Sequence, residues 1–533
     1  MVYDFSQITP STNLTWAPCW DIFTCARLVV PLDYSNVSLG NTPIAFMKYP
    51  AENETASTPN ILLNQGGPGG SGVSFLMQAP ATLQSLLGPQ YNLIGFDPRG
   101  VNNSGPFVDC FPGRPDARAA WQNIFLPDVS DASSTSLSTQ YYSSGIFGEW
   151  CNTHLVQNTS AFTSQYITTP LVARDMLAFA QAAKPPAGSP SSSSPTPDDG
   201  TAVLNDGDVW YYGISYGTVL GATFASLFPD HVGRVILDGV VDAEDYYTNG
   251  WRSNLFDADQ AIVGGGGFIA DCYRAGPGNC SFWGPSERNM TDRLRDVVQG
   301  LRQHPVPIPD PPSLGTYSML KTLLLQATYA PLIQFPALAE VLTLLESGNR
   351  NATALLAAVS FLATDDAAVL IRCVDAAGRD NNNNNNQLDT YRQFEDYVAT
   401  LESQSRWVGD TWATNAIAVA CRGLEPDVPP SILFPGPLPP SSNNTKNPVL
   451  FASNTIDPVA PIRGAHKMSR GFANSAVLVQ EGVGHTVLVN SGSDCYWEHV
   501  GHYLATGSVP PANTTCAAQF VPFRDVGLYT GPV

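Results

Sequence analysis

Gly213-Ile214-Ser215-Tyr216-Gly217 sets a serine midway between two glycines. A serine hydroxyl is a weak nucleophile until a base takes its proton, and it must be lifted clear of its neighbours to meet one. A sharp turn from strand to helix does this but crowds the backbone two residues before and two after the serine, where glycine relieves the crowding. The flanks suit such a turn: Val209-Trp-Tyr-Tyr reads as strand and Thr218-Val-Leu-Gly-Ala-Thr-Phe-Ala-Ser-Leu-Phe as helix. A tight turn with an exposed serine is the plainer alternative. The chemistry implied is acyl transfer, which builds negative charge on a carbonyl oxygen and needs N–H groups aimed at it. Gly66-Gly67-Pro68-Gly69-Gly70 follows another strand-like run and lets main chain approach closely. Gly67 and Tyr216, the residue after the serine, are the expected backbone donors. A phosphate loop would end in Gly-Lys-Ser/Thr, which this segment lacks.

The base must come from seven histidines. His485 lies in Gln480-Glu-Gly-Val-Gly-His-Thr-Val, a glycine-rich loop after a strand, and is the expected base. His499 and His502 sit three apart on a helical pattern and read as a packed helix face; His154, His231, His304 and His466 lack a comparable setting. An acid must hold the imidazole in the right tautomer. Asp457 follows the strand-like Val449-Leu-Phe-Ala-Ser-Asn, which places it at the carboxyl end of a strand. Asp238 and Asp242 are the rival acids. The chain order Ser215, Asp457, His485 matches the order in α/β-hydrolases. Asp97 in Asp-Pro-Arg-Gly is expected to be structural, and Arg99 to brace the oxyanion loop. No metal or cofactor is needed by such a set.

These residues need a scaffold that brings distant segments to one edge. Short apolar runs at 61–64, 91–96, 209–212 and 234–239 alternate with helical patterns such as 171–183, as in a parallel sheet buried on both faces. Residues 26–50 read as opening antiparallel strands. Strand patterns nearly vanish over 243–430, where helical ones dominate, and resume at 448–453 and 475–480. The expected organisation is a first core part (1–242), a mainly helical cap (243–430) and a second core part (431–533). The Pro/Ser-rich stretch 184–200 and the asparagine run 381–386 are expected to be loops.

Composition narrows the surroundings. The chain of 533 residues carries 46 acidic against 26 basic side chains, a net charge of −20, which argues against nucleic acid or an anionic membrane as partner. No apolar run reaches the roughly 18 residues that a membrane span needs. Ten cysteines in even number, none in a Cys-x-x-Cys pair, and ten Asn-x-Ser/Thr sequences point to an oxidising, glycosylating route and a secreted protein. Proximity pairs the cysteines as 19–25, 110–151, 272–280, 373–421 and 495–516. The first residues lack a basic start and an apolar stretch, so no signal peptide is expected in this chain.

Asn64-Gln-Gly-Gly-Pro-Gly-Gly-Ser-Gly, Gly95-Phe-Asp-Pro-Arg-Gly, Tyr211-Tyr-Gly-Ile-Ser-Tyr-Gly-Thr, Ile236-Leu-Asp-Gly-Val-Val-Asp, Asp457-Pro-Val-Ala-Pro and Gly482-Val-Gly-His together resemble the tripeptidyl-aminopeptidase-like branch of the proline iminopeptidase family of α/β-hydrolases. The resemblance covers about 60–245 and 415–520 and implies the α/β-hydrolase fold, a helical cap and hydrolysis near a free peptide N-terminus by Ser215, Asp457 and His485. An exopeptidase also needs carboxylates for the substrate ammonium; Glu244 and Asp245 at the entrance to the helical segment are the candidates, and a solvated acidic surface is the plainer reading of them. The alternatives are a carboxylesterase with the same machinery and a binding protein on a hydrolase scaffold. The substrate would be a peptide or small ester, cleaved best at neutral to mildly acidic pH, where His485 is free to accept a proton.

Overall fold

The structure, a computed structural model, describes all residues except 126–127, 159–163, 185–206, 249, 310–311, 349–365, 377–387, 389, 416–417, 435–443 and 526–533. The expected loops at 184–200 and 381–386 lie, apart from Lys184, outside the described residues. One sheet of ten strands dominates. In chain order its strands are β1 (Ala17–Cys19), β2 (Phe23–Pro31), β3 (Asn41–Tyr49), β4 (Asn60–Asn64), β5 (Asn92–Phe96), β6 (Val209–Ile214) and β7 (Val232–Asp238). A separate hairpin, β8 (Val306–Pro309) and β9 (Pro312–Gly315), follows, and then β10 (Val449–Ile456), β11 (Ala476–Val483) and β12 (Thr515–Cys516) complete the sheet. The spatial order is β1-β2-β3-β5-β4-β6-β7-β10-β11-β12. The pairs β1–β2, β2–β3 and β3–β5 are antiparallel and every later pair is parallel. This is the α/β-hydrolase architecture expected from the alternating pattern.

The central strands are mostly apolar because both faces are covered, and alternate residues still serve different cores. Along β6, Tyr211 enters one hydrophobic cluster while Trp210 and Tyr212 enter the other; along β4, Leu62 parts from Ile61 and Leu63 in the same way. Register then decides what meets at the carboxyl edge. Asn64 of β4 pairs with Gly213 of β6, so the glycine loop and the serine turn leave the sheet side by side. Ile214 pairs with Asp238, Asp238 with Ala452, and Ile456 with Val483, which brings the segments after β7, β10 and β11 to the same edge.

Between β7 and β10 the described residues are mostly helical: Glu287–Gln303, Tyr317–Tyr329, Pro331–Glu346, Asp366–Ala376 and Tyr391–Gln404 are the longer helices among them. The β8–β9 hairpin was not legible there because each strand has four residues and together they hold three prolines. The helical layer also takes in an earlier segment. Arg118 grips Asp366 through two hydrogen bonds of 2.7 and 2.6 Å, the amide of Ser130 donates to Asp410 O, and Tyr141 packs against Phe394. All ten cysteines are joined, as 19–25, 110–151, 272–280, 373–421 and 495–516. Among the described residues no helix is long and apolar enough to cross a membrane.

Arg99 corrects one expectation. It does not brace the glycine loop. Its fully buried guanidinium forms a two-point pair with Asp175 at 2.6 and 2.8 Å and donates to the carbonyls of Pro31 and Leu32, fastening the end of β2 to the helix Thr169–Ala182. Removing one partner of such a pair strands the other charge away from water. Arg99→Ala should destabilise the fold by about 3–5 kcal/mol, read as a lowered urea midpoint with an unchanged slope.

Candidate active site

Ser215 occupies a backbone conformation that few side-chain-bearing residues adopt, φ 56° and ψ −127°. Strain of this kind, of order 1–3 kcal/mol, persists only where the surroundings impose it. Here the Ser215 amide donates to Asp238 O at 3.1 Å, and its carbonyl accepts from the Thr218 amide at 2.8 Å and hydroxyl at 2.6 Å. The two flanking glycines are a steric requirement: a Cβ at Gly213 would lie 2.5 Å from Gly217 O, and one at Gly217 would lie 2.7 Å from Asn64 O. Tyr216 opens the helix Tyr216–Leu227, so its amide has no partner within the helix.

The glycine loop lies against this turn. A Cβ at Gly66 would come within 2.6 Å of Ile214 O and 2.8 Å of the Tyr216 amide nitrogen. Gly66 has φ +88° and commits its own amide to Asn64 Oδ1 at 2.9 Å. The next amide along, that of Gly67 at φ +116°, is the expected donor. Asp97 supplies the brace that Arg99 does not. Its Oδ1 accepts from the Ser71 hydroxyl at 2.6 Å and the Val73 amide at 3.2 Å, where the loop turns into the helix Gly72–Gln78.

Asp457 is fully buried and its carboxylate is surrounded by donors. Oδ1 accepts from the amides of Val459 at 3.0 Å and Ala460 at 2.8 Å, and Oδ2 from Thr486 at 3.1 Å. Both oxygens lie 3.1 Å from His485 Nδ1. That contact leaves Nε2 to face away, buried and without a hydrogen-bond partner among the described residues. The loop bearing His485 is held by amide side chains: Asn490 donates to His485 O at 2.5 Å, and Asn454 to Gly484 O and Thr486 O at 2.9 and 3.0 Å. The helical layer reaches it as well. The Tyr329 ring meets the imidazole edge-on at 5.3 Å, and Asn490 donates to Tyr329 O at 2.8 Å.

Asp238, the rival acid, makes no hydrogen bond with the imidazole among the described residues. Its carboxylate accepts the amides of Val487 at 2.7 Å and Leu488 at 2.8 Å and the Tyr212 hydroxyl at 3.0 Å. Burial pushes its carboxyl up to about 6 against the pull of those donors, with nearby Asp457 adding to the rise. It ties the serine turn, through its carbonyl, to the histidine loop, through its carboxylate; its place after the strand that follows the serine is the sequence signal for it. Asp242 and Glu244 share Lys467 in a surface cluster, at 2.8 and 2.7 Å. Asp245 is buried, with Oδ2 accepting from the Ser253 amide at 2.8 Å and Oδ1 without a hydrogen-bond partner among the described residues. His499 lies within 4.8 Å of the sulfurs of Cys495 and Cys516, but these are bonded to each other and offer no thiolate to a metal.

Residues 406–516 match the family model described as TAP-like protein. Over most of its length the chain is similar to the serine protease Hip1 of Mycobacterium tuberculosis, 26% identical over 92% of this chain and 87% of that one. It is 23% identical to the tripeptidyl aminopeptidase of Streptomyces coelicolor, over 96% and 87%. It is 26% identical to carboxylesterase B of Mycobacterium tuberculosis, over 92% and 86%. These likenesses agree with the resemblance carried by the motifs.

The Asp238 carboxyl titrates at about 6 in the folded chain, against an ordinary value of 3.8. Between those two values the folded state therefore holds the more protons, and this group makes stability fall as pH rises from about 4 to 6. Asp238→Asn should flatten that part of the stability profile by up to one proton, measured by urea unfolding at a series of pH values. It should also lower kcat, because an amide nitrogen would face the Val487 or Leu488 N–H.

Proposed function

In a chain that is a serine hydrolase of the α/β-hydrolase fold, we propose that Ser215 is the nucleophile, His485 its general base and Asp457 the acid that orients the base. The carrying observation is the Asp457–His485 contact at the sheet edge where the strained Ser215 turn also emerges. An imidazole that donates its Nδ1 hydrogen to Asp457 keeps a lone pair on Nε2 for the serine proton. Ser215 Oγ attacks the substrate carbonyl as His485 takes that proton. The amides of Gly67 and Tyr216 hold the oxyanion, His485 returns the proton to the leaving group, and water then resolves the acyl-enzyme by the reverse route.

The substrate reading is a peptide cleaved near its free N-terminus, supported by the likeness to a tripeptidyl aminopeptidase and a serine protease. The helices of 243–430 act as a cap, since Tyr329 already covers the imidazole. Of the two candidate acids for a substrate ammonium, Glu244 is engaged by Lys467 on the surface, so Asp245, whose Oδ1 has no hydrogen-bond partner among the described residues, is the better anchor. The same machinery opens esters, and the likeness to a carboxylesterase keeps that reading as the second one. Secretion is supported by five disulfides and by Asn13, Asn36, Asn53, Asn102, Asn279 and Asn513, acceptor asparagines that stand exposed.

Ser215→Ala should lower kcat by roughly 10⁴-fold or more and abolish fluorophosphonate labelling; retained turnover refutes the assignment. A tripeptide amide assayed beside a nitrophenyl ester should show efficient amide cleavage, and ester cleavage alone selects the second reading. Asp245→Asn should raise KM about tenfold for a substrate with a free amine, as expected when one charge-assisted contact is lost, and leave its N-acetylated counterpart unaffected.

A further inference from the structure

The helix Asp366–Ala376 belongs to the helical layer, yet it touches the segments that carry both proposed oxyanion donors. Near its start, Ala368 lies against the glycine loop: a Cβ at Gly69 would sit 2.9 Å from the Ala368 amide nitrogen and 3.0 Å from its Cα. Near its end, the buried Asp375 accepts three hydrogen bonds. Its Oδ1 takes the Thr169 amide at 2.8 Å, and its Oδ2 takes the Thr169 hydroxyl at 2.5 Å and the Tyr246 hydroxyl at 2.9 Å.

Thr169 Oγ1 is also bonded to the Tyr216 hydroxyl. A threonine hydroxyl owns one hydrogen, and here Asp375 receives it, so the phenol must donate to Thr169. The result is a directed chain from Tyr216 through Thr169 to the carboxylate. Burial, reinforced by Asp375, holds the Tyr216 phenol well above its ordinary range, so it stays a donor. The helix is fastened where it does this work. Asp366 is gripped by Arg118 and by the Cys110 amide at 2.6 Å, and Cys373 is bonded to Cys421.

We infer that this helix is a brace for the oxyanion hole, with Asp375 a positioning residue that fixes the first turn of the nucleophile helix, and hence the Tyr216 amide, from the far side. The inference rests on the reading of Ser215 as nucleophile. Its physical basis is that donors stabilise developing charge only when held in place before the reaction. Nothing in it requires Asp375 to touch substrate.

The test compares Asp375→Asn, Tyr216→Phe and the double variant. Asp375→Asn keeps one acceptor oxygen but sets a donating NH₂ against either the Thr169 amide or the two hydroxyls, and it removes the charge that ends the chain; Tyr216→Phe removes the donor and keeps the backbone N–H. Each should lower kcat on a tripeptide amide by about 10- to 100-fold, the scale expected of a small misplacement, with KM within about twofold. Affinity for a peptide boronate, which forms a tetrahedral anionic adduct on Ser215, should fall by the same factor. The double variant should be no worse than the poorer single one, because the two changes break one chain. Turnover within twofold of the unaltered enzyme, unchanged boronate affinity beside a reduced kcat, or additive losses would each overturn the brace. If Asp375→Asn does not fold, Tyr216→Phe and Thr169→Val carry the same comparison. Ser215→Ala separates the two levels: turnover surviving in it defeats the underlying reading, whereas an inactive Ser215→Ala beside unimpaired Asp375→Asn and Tyr216→Phe defeats the brace alone.

Discussion

The pairing of Asn64 with Gly213 across β4 and β6 constrains everything that happens at the carboxyl edge. It makes a glycine loop and a serine turn, nearly 150 residues apart in sequence, exit the sheet as neighbours. They are then packed so tightly that neither Gly66 nor Gly217 could carry a side chain without meeting the other segment's backbone. Because strand side chains repeat every second residue, a slip of one position would send Tyr211 and Tyr212 to each other's cores as well. The hydrophobic layers therefore guard the register on which the site depends.

On the other side of the serine, polar groups take over from packing. Asp238 joins two turns through different ends of the same residue, its carbonyl to Ser215 and its carboxylate to the residues just after His485. Asp457 is held by three amides before the imidazole is counted. Buried carboxylates are costly unless paired or fully hydrogen-bonded, and here the main chain itself supplies the donors. The site is thus rigid where charge has to be oriented, and the helical layer adds contacts at Tyr329 and Asp375 to loops that already have an internal framework.

Much of this was legible in the sequence for physical reasons. The central strands announce themselves because burial on both faces leaves them mainly apolar, and the flanking glycines of Ser215 mark a turn that only they permit. His485 and Asp457 could be chosen because each follows a strand within a loop rich in turn residues. Other features left no local trace. The role of Asp97 in bracing the glycine loop, and of Arg99 in binding Asp175 instead, depends on which way each side chain leaves one short turn. The inclusion of Arg118, Ser130 and Tyr141 in the helical layer depends on contacts such as Arg118 with Asp366, across almost 250 positions. Asp375 carries no motif; only the fold sets it beside Thr169 and Tyr246.

The bond between Cys373 and Cys421 encloses 47 intervening residues and pins the end of the helix that bears Asp375. A backbone cut anywhere in that interval would leave both fragments tethered through sulfur, so the nicked molecule stays one covalent object with its helix still moored. Cys110–Cys151 gives the same insurance to the earlier segment that packs on it. Within those two intervals, a cut parts the fragments only after the sulfur bond is reduced.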